Sequence, residues 1–130
     1  MNTYEIKEVV SGIPLNVLSK SDIFAHKLVA LTERYNNKIK NKVIANRDLY
    51  DINFFFDNNW KYNKAIIELR SKISCREYFI KLRKLIEKSV DEKNILEGLG
   101  TLVDDKKRVW VKNNLKDEVV KKIAMEIAVL

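Results

Sequence analysis

A chain of 130 residues with 46% apolar content is long enough for one globular domain with a single core and too short for two. Its formal net charge of +7 favours anionic partners such as nucleic acid, nucleotides or a membrane surface, without choosing among them. The single cysteine, Cys75, excludes an intrachain disulfide. Because there is neither a signal peptide nor an apolar run of the about 18 residues that span a bilayer, we expect a protein of the reducing cytoplasm.

The first 18 residues show the alternation of apolar and polar side chains that is typical of half-buried strands. Residues 3–7 and 13–17 both alternate in this way, and a Ser-Gly pair at 11–12 lies between them as a turn. The pattern predicts a short antiparallel β-hairpin over residues 1–18. Because a two-stranded hairpin is marginal alone in water, it has to pack on helices, pair with another chain or belong to a larger sheet.

The next segment predicts an amphipathic helix that begins after Ser19 or Ser21, either of which can cap it, and runs to about Tyr35. The apolar face of this helix consists of Ile23, Phe24, Leu28, Leu31 and Tyr35. Lys27 and Arg34 lie seven residues apart, two turns along one flank, and make that flank positive. The commoner explanation of such a lysine is that its stem covers the core while its ammonium stays in water.

A second helix is predicted to begin at Asn46, as its cap, with two carboxylates, Asp48 and Asp51, on one face. Its buried face is expected to hold Leu49, Ile52 and Phe56. A short helix is also expected around residues 39–44. Acidic residues at a helix start ordinarily stabilise the positive end of the helix dipole, and Arg47 ordinarily pairs with one of them.

Further helices are predicted at residues 62–73, 75–90, 91–98, 104–112 and 114–129. Residues 61–90 carry nine Lys or Arg against three Glu, which indicates either a basic binding surface or merely solvated helix faces. Both tryptophans, Trp60 and Trp110, are interpreted as core anchors. The last helix repeats an apolar residue about every fourth position from Leu115 to Leu130, as a packed face does.

These elements predict a mostly α-helical α+β fold, with a short N-terminal antiparallel β-hairpin followed by about five to six helices. A single domain is expected over residues 1–130. Within it, residues 1–18 form the hairpin, residues 19–60 carry the charged motifs, and residues 61–130 form a basic helical tail.

Two charged motifs carry a resemblance to a known family. The first helix has the pattern Phe-x-x-Lys-Leu-x-Ala-x-x-x-Arg, and the second has Arg-Asp-x-x-Asp. The matching residues are Phe24, Lys27, Leu28, Ala30, Arg34, Arg47, Asp48 and Asp51. In this order and spacing, over roughly residues 10–60, the chain resembles the second half of the AbiEii/AbiGii nucleotidyltransferase toxins, which are bacterial abortive-infection proteins. Beyond residue 60 the likeness is only a helical, lysine-rich tail.

The resemblance implies a DNA-polymerase-β-like fold, transfer of nucleotides from NTP to the acceptor end of tRNA, and a cognate antitoxin. Carried over onto this sequence, Lys27 would bind the nucleotide phosphates and Asp48 would be the catalytic acid of the second motif. Asp51, grouped with them as catalytic, would orient Arg47 or hold the helix. Arg34 and Arg47 would bind substrate.

The metal-binding part of that family's signature is missing from the sequence. Phosphoryl transfer of this kind needs Mg²⁺ held by converging carboxylates, which the family takes from an Asp-x-Asp strand behind a Gly-Ser turn. This chain has neither pattern, and the adjacent pair Asp104 and Asp105 would face opposite sides of a strand. We therefore expect a truncated or split toxin that is not catalytic alone and contributes no metal ligand. Mg²⁺ and NTP would enter only with a missing catalytic half.

Other functions stay open on sequence grounds. The chain could be a non-catalytic protein of bacterial or phage conflict that engages an antitoxin, a toxin subunit or nucleic acid. Lysine-rich helices can also bind nucleic acid without sequence preference, through counterion release. The expected partners are an antitoxin or complementary toxin half, tRNA or other nucleic acid, and a second copy of the chain, but no membrane. His26 is interpreted as a surface residue and Cys75 as a structural thiol.

Overall fold

The part of the chain that the computed structural model describes consists of residues 9–10, 13–14, 19–37, 44–100 and 103–130. Its five α-helices are α1 (Lys20–Asn37), α2 (Asn46–Asp57), α3 (Lys64–Ser71), α4 (Cys75–Ser89) and α5 (Asp105–Val129). Helix α5 lies against α4 and α2, and α1 lies against α2 and α3. None of these helices is long and apolar enough to cross a membrane.

The prediction of an α+β fold with an N-terminal antiparallel β-hairpin is wrong, because five helices build the described fold and no sheet forms a layer of it. Strand structure in the described residues is limited to β1 (Val9–Val10) and β2 (Ile13–Pro14), which pair antiparallel. Two residues per strand, against about five to six in an ordinary strand, provide no face that could be buried as a layer. The rest of the predicted hairpin, and the helix expected at 39–44 apart from Ile44, lie outside the described residues.

The core lies between the five helices and is built from the apolar faces that helical spacing predicts. Its largest side chains with less than 2% exposure include Phe24, Leu28, Leu31, Leu49, Ile52, Ile67, Phe79, Leu82, Ile86 and Leu115. Phe24 of α1 contacts the rings of Phe55 and Phe56 on α2, with centroids 5.1 and 4.9 Å away. This aromatic contact sets α2 against α1 and brings their charged flanks together.

Side-chain caps begin four of the helices. Ser19 Oγ accepts a hydrogen bond from the amide of Asp22 at 3.2 Å, which confirms the predicted start of α1. Asn63 caps α3, Ser74 caps α4 and Asp104 caps α5 in the same manner. Each cap satisfies an amide that the helix itself leaves unpaired.

The start of α2 differs from its prediction. Ala45 occupies the cap position, and Asn46 is already helical. The side-chain amide of Asn46 instead donates to the backbone carbonyl oxygens of Asn94 at 2.8 Å and Glu97 at 3.1 Å. It thereby ties α2 to residues 91–98, which form consecutive turns rather than the predicted helix.

The predicted break near residue 113 is also wrong, because α5 is one helix of 25 residues. The Asn114 side chain donates to the carbonyl of Trp110 at 3.2 Å, so this asparagine is accommodated inside the helix. Val111, Leu115, Val119 and Ile123 continue a single buried face through that region. Apolar spacing therefore decides the structure here over the weak helix propensity of asparagine.

Lys116 of α5 stabilises the end of the neighbouring helix α4. Its ammonium donates to the carbonyl oxygens of Val90 at 2.8 Å and Glu87 at 3.3 Å, where the negative end of the helix dipole lies. Lys116→Met should lower the free energy of unfolding by about 1 kcal/mol, because these hydrogen bonds are lost while the apolar stem is kept. Urea denaturation followed by circular dichroism measures this loss. The exposed Lys112 offers the matched control, and a Lys112→Met loss equal to that of Lys116→Met would contradict the capping role.

Candidate functional site

Lys27 joins helices α1 and α2 through two ion pairs. Its Nζ lies 3.3 Å from Asp48 Oδ1 and 2.9 Å from Asp51 Oδ2. Phe24 and Leu28, on either side of it in α1, are fully buried, so the backbone end of the Lys27 side chain is held at the edge of the core. The two carboxylates lie one turn apart on α2 and are reached by one ammonium, as their spacing of three residues allows.

Asp48 is the most enclosed member of this cluster. It is 5% exposed, and its second carboxylate oxygen accepts a hydrogen bond from the Arg34 guanidinium. Arg34 is more exposed and lies two turns after Lys27 on the same flank of α1. Two cations from α1 thus bind one buried carboxylate of α2. Such a carboxylate is costly to bury without both partners.

An open groove of about 390 Å³ adjoins the cluster. We call it the charged groove, and its lining residues are Ile23, Lys27, Tyr50, Asp51, Phe54 and Phe55. The side chains of Lys27 and Asp51 are each 29% exposed, so both are accessible from the groove. The Lys27 ammonium is therefore within reach of an anionic group that enters the groove.

The structure brings together four of the five predicted site residues: Lys27, Arg34, Asp48 and Asp51. Arg47 is exposed and makes no ion pair or hydrogen bond with the described residues. Asp51, which was expected to orient Arg47 or hold the helix, pairs with Lys27 instead of Arg47 among the described residues. Arg34 donates a hydrogen bond to Asp48, and the only sign of this contact in the sequence is the position of Arg34 on the same flank as Lys27. The roles of these residues in substrate binding or catalysis stay predictions.

The side chains that the structure describes do not fit a catalytic Mg²⁺. Within the described residues no three or more His, Cys, Asp or Glu side chains converge as a metal site. Both oxygens of Asp48 are engaged by cations, and Asp51 is paired with Lys27. A divalent ion prefers several carboxylate or water oxygens and would be repelled by the neighbouring ammonium and guanidinium.

For three residues outside the cluster, the observed burial and contacts can be compared with the sequence predictions. His26 is half-buried rather than on the open surface, and its Nδ1 lies 2.9 Å from the guanidinium of Arg70. Burial and then that guanidinium lower the pKa of His26, which favours the neutral ring. Trp60 is half-buried and stacks on Phe55 with centroids 4.4 Å apart, as a core anchor does. Trp110 is 37% exposed, so its interpretation as a core anchor is wrong.

Cys75 is a buried free thiol at the start of α4. Burial raises the pKa of this thiol to about 11, and the carboxylate of Glu68 acts in the same direction. The raised pKa keeps the group protonated, in agreement with a structural thiol rather than a nucleophile.

The thiol of Cys75 should therefore react slowly in the native protein. At pH 8.5 less than about 1% of it is thiolate, whereas an unfolded cysteine is about half ionised. We expect labelling by a disulfide reagent, followed by absorbance, to be at least about 50-fold slower in buffer than in strong urea. The native rate should rise as the pH approaches 11. Equal native and unfolded rates at pH 8.5 would contradict both the burial and the direction of the pKa shift.

Comparison with known proteins identifies the family. The family model described as nucleotidyl transferase AbiEii toxin, type IV TA system, matches residues 2–121. The chain therefore belongs to the AbiEii nucleotidyltransferase toxin family, and the resemblance carried by its two charged motifs is confirmed. The match extends well past residue 60, to which the motif similarity was limited. No curated protein and no solved structure shows significant similarity to the chain.

Proposed function

We propose that this chain provides the phosphate-binding lysine and an acidic partner of a nucleotidyltransferase toxin, and that it transfers nucleotides only when a metal-binding element completes it. The observation that supports this proposal is the placement of the Lys27 ammonium between two carboxylates at an open groove. A lysine so held is a pre-positioned cation for a triphosphate. The buried Asp48 keeps it in place when the phosphates displace Asp51.

The sequence motifs and the carboxylates of the described residues support the proposal of a missing element. The chain contains no Gly-Ser pair and no Asp-x-Asp, and the described residues gather no set of three potential metal ligands. In the completed enzyme, carboxylates of the second element would hold Mg²⁺, which supplies charge neutralisation on the transferred phosphoryl group. Lys27 would bind the triphosphate, Arg34 would keep Asp48 in position, and the acceptor would be tRNA.

Transfer of labelled nucleotides to tRNA tests this proposal. The chain alone should transfer none, and addition of a Gly-Ser and Asp-x-Asp segment from another family member should restore transfer. Lys27→Ala should then lower the rate at least about tenfold, because a charge-assisted contact to the phosphates is lost. Lys112→Ala, at an exposed position of α5, is the matched control. Robust transfer by the chain alone, or full transfer by the completed Lys27→Ala variant, would reject the proposal.

The ion-pair cluster of Lys27, Arg34 and Asp48 also supports a second, non-catalytic function. The two cations of the site are already neutralised by the chain's own carboxylates, which suits a protein that has kept the toxin's architecture without its chemistry. Such a protein would act in the cytoplasm in conflict between bacteria and phage, by occupying an antitoxin, a toxin subunit or nucleic acid. Under this alternative the isosteric Lys27→Met leaves the biological effect intact. Charge reversal at Arg76, Lys81 and Lys84, all exposed on α4, abolishes it.

A further inference from the structure

Two large aromatic side chains of the described helices are exposed beside the charged groove. Phe54 of α2 is 50% exposed, and Trp110 of α5 is 37% exposed. The edge of the Phe54 ring rests on the rings of Phe55 and Trp60, with centroids 6.1 and 6.4 Å away, so the ring is anchored although it faces solvent. Exposed and anchored apolar rings are typical of surfaces that bind a planar partner.

An aromatic cleft of about 200 Å³ separates α2 from α5 at this point. Its lining residues are Tyr50, Asn53, Phe54, Asp57, Lys107, Trp110 and Val111. The one carboxylate that lines the cleft, Asp57, is neutralised by the ammonium of Lys122, which also donates a hydrogen bond to the side-chain oxygen of Asn53 at 2.9 Å. Lys107 adds a positive charge at the rim. The aromatic cleft is therefore apolar in its walls and not negative.

The aromatic cleft and the charged groove share a wall. Tyr50 and Phe54 line both of them, and they lie one turn apart on α2. Asp51 lies on the same helix and faces the charged groove with Lys27. One side of this wall thus offers aromatic faces, and the other side offers an ammonium that an anion can reach. A ligand that spans the wall needs a flat ring at one end and an anionic group at the other.

We propose that the aromatic cleft binds the base of a nucleotide whose phosphates lie in the charged groove at Lys27. This inference rests on the proposed function and deepens it, because it assigns a place to the base as well as to the phosphates. Stacking on an aromatic face tolerates every base, so the cleft favours nucleotides over bare polyphosphate more than one base over another. The polar edge of the base meets Asn53, Asp57 and Lys107 at the bottom and rim of the cleft.

Titration of the full chain with nucleoside triphosphates and, separately, with inorganic tripolyphosphate tests this assignment. Nuclear magnetic resonance follows the indole N–H of Trp110 and the backbone amides of α1 and α2. Nucleotides should shift the Trp110 signal, whereas tripolyphosphate should shift only the amides near Lys27. Trp110→Leu should weaken nucleotide binding about tenfold and leave tripolyphosphate binding unchanged, since a stacked base is lost. Val109→Leu, at an exposed neighbouring position, is the control and should change neither affinity.

The outcomes separate the two proposals. Nucleotide shifts near Lys27 with no change at Trp110 overturn the base site and leave the phosphate site of the proposed function standing. If the Trp110 signal reports the same nucleotide affinity in Lys27→Ala as in the unchanged protein, the base at Trp110 and the phosphates at Lys27 do not belong to one ligand. That result overturns this assignment. No response to either ligand at millimolar concentration overturns both.

Discussion

Asp48→Ala is expected to lower the free energy of unfolding by about 2 kcal/mol, because it removes the carboxylate that two cations of α1 share and leaves Lys27 with Asp51 alone. Asp48 is 5% exposed and binds Lys27 and Arg34 at once. Removal of one member of a buried ion pair costs about 3 to 5 kcal/mol and of a surface pair at most about 1 kcal/mol. The exposure of Arg34 and the remaining pair of Lys27 with Asp51 place this case between the two. Urea denaturation followed by circular dichroism gives the loss directly.

Asp51→Ala is the matched control for this prediction. Asp51 also pairs with Lys27, but its side chain is 29% exposed, and Lys27 keeps Asp48 when it is removed. We expect a loss of at most about 1 kcal/mol, as for ion pairs near the surface. If the Asp51 variant proved as unstable as the Asp48 variant, the buried carboxylate would not be what holds α1 to α2.

A double-mutant cycle measures the interaction energy between Lys27 and Asp48 separately from the other contacts of the site. Lys27→Met removes the ammonium and keeps the apolar stem over the core. The losses of Lys27→Met and Asp48→Ala should add to more than the loss of the double variant, because both single changes remove the same contact. Strict additivity would mean that the 3.3 Å contact between these side chains contributes nothing to stability.

The clustering of these charged side chains was predictable because it depends on helical periodicity. A spacing of three residues puts Asp48 and Asp51 on one face, and a spacing of seven puts Lys27 and Arg34 on one flank, whatever the rest of the fold does. The apolar faces of α1 and α2 are equally periodic, so their charged flanks had to lie at the border of a shared core. The sequence did not predict which cation meets which carboxylate, because that depends on how the two helices are rotated.

The fold class could not be read from alternation alone. Alternation of apolar and polar side chains over residues 1–18 does not by itself provide a neighbouring strand to pair with. Among the described residues the strands are only Val9–Val10 and Ile13–Pro14. The turns at 91–98 were missed for the converse reason, since a helix-like composition is overridden there by the hydrogen bonds from Asn46. The error at 91–98 thus lies where a tertiary contact decides the backbone.

Phe54 and Trp110 show that residue type alone does not predict which aromatic side chains are exposed. Aromatic residues are usually buried, and Phe56 was the one phenylalanine of the run at 54–56 that was predicted on the buried face of α2. A helix turns by about 100° per residue, however, and three consecutive side chains cannot all point the same way. Phe55 is 6% exposed and Phe54 is 50% exposed. The phase relative to Leu49 and Ile52 was the signal that could have placed Phe54 outside.

Phe24→Ala is expected to lower the free energy of unfolding by about 4 kcal/mol, because it opens a cavity between α1 and α2. Phe24 has 0% exposure, and its ring lies within 6 Å, centroid to centroid, of Phe55, Phe56 and Tyr62. A natural domain is stable by only about 5 to 15 kcal/mol, so such a loss takes much of the total. Thermal and urea denaturation measure it.

The change at Phe24 should reach the charged cluster because Phe24 lies one turn before Lys27 on α1. Phe24→Leu, which keeps most of the volume, should cost about 1 to 1.5 kcal/mol and preserve the ion pairs of Lys27. Leu69→Ala, at a position that is 79% exposed on α3, should change stability by less than about 0.5 kcal/mol. If Phe24→Ala were no more destabilising than Phe24→Leu, the aromatic contact would not be what sets α2 against α1. The convergence of Lys27 with Asp48 would then need another cause.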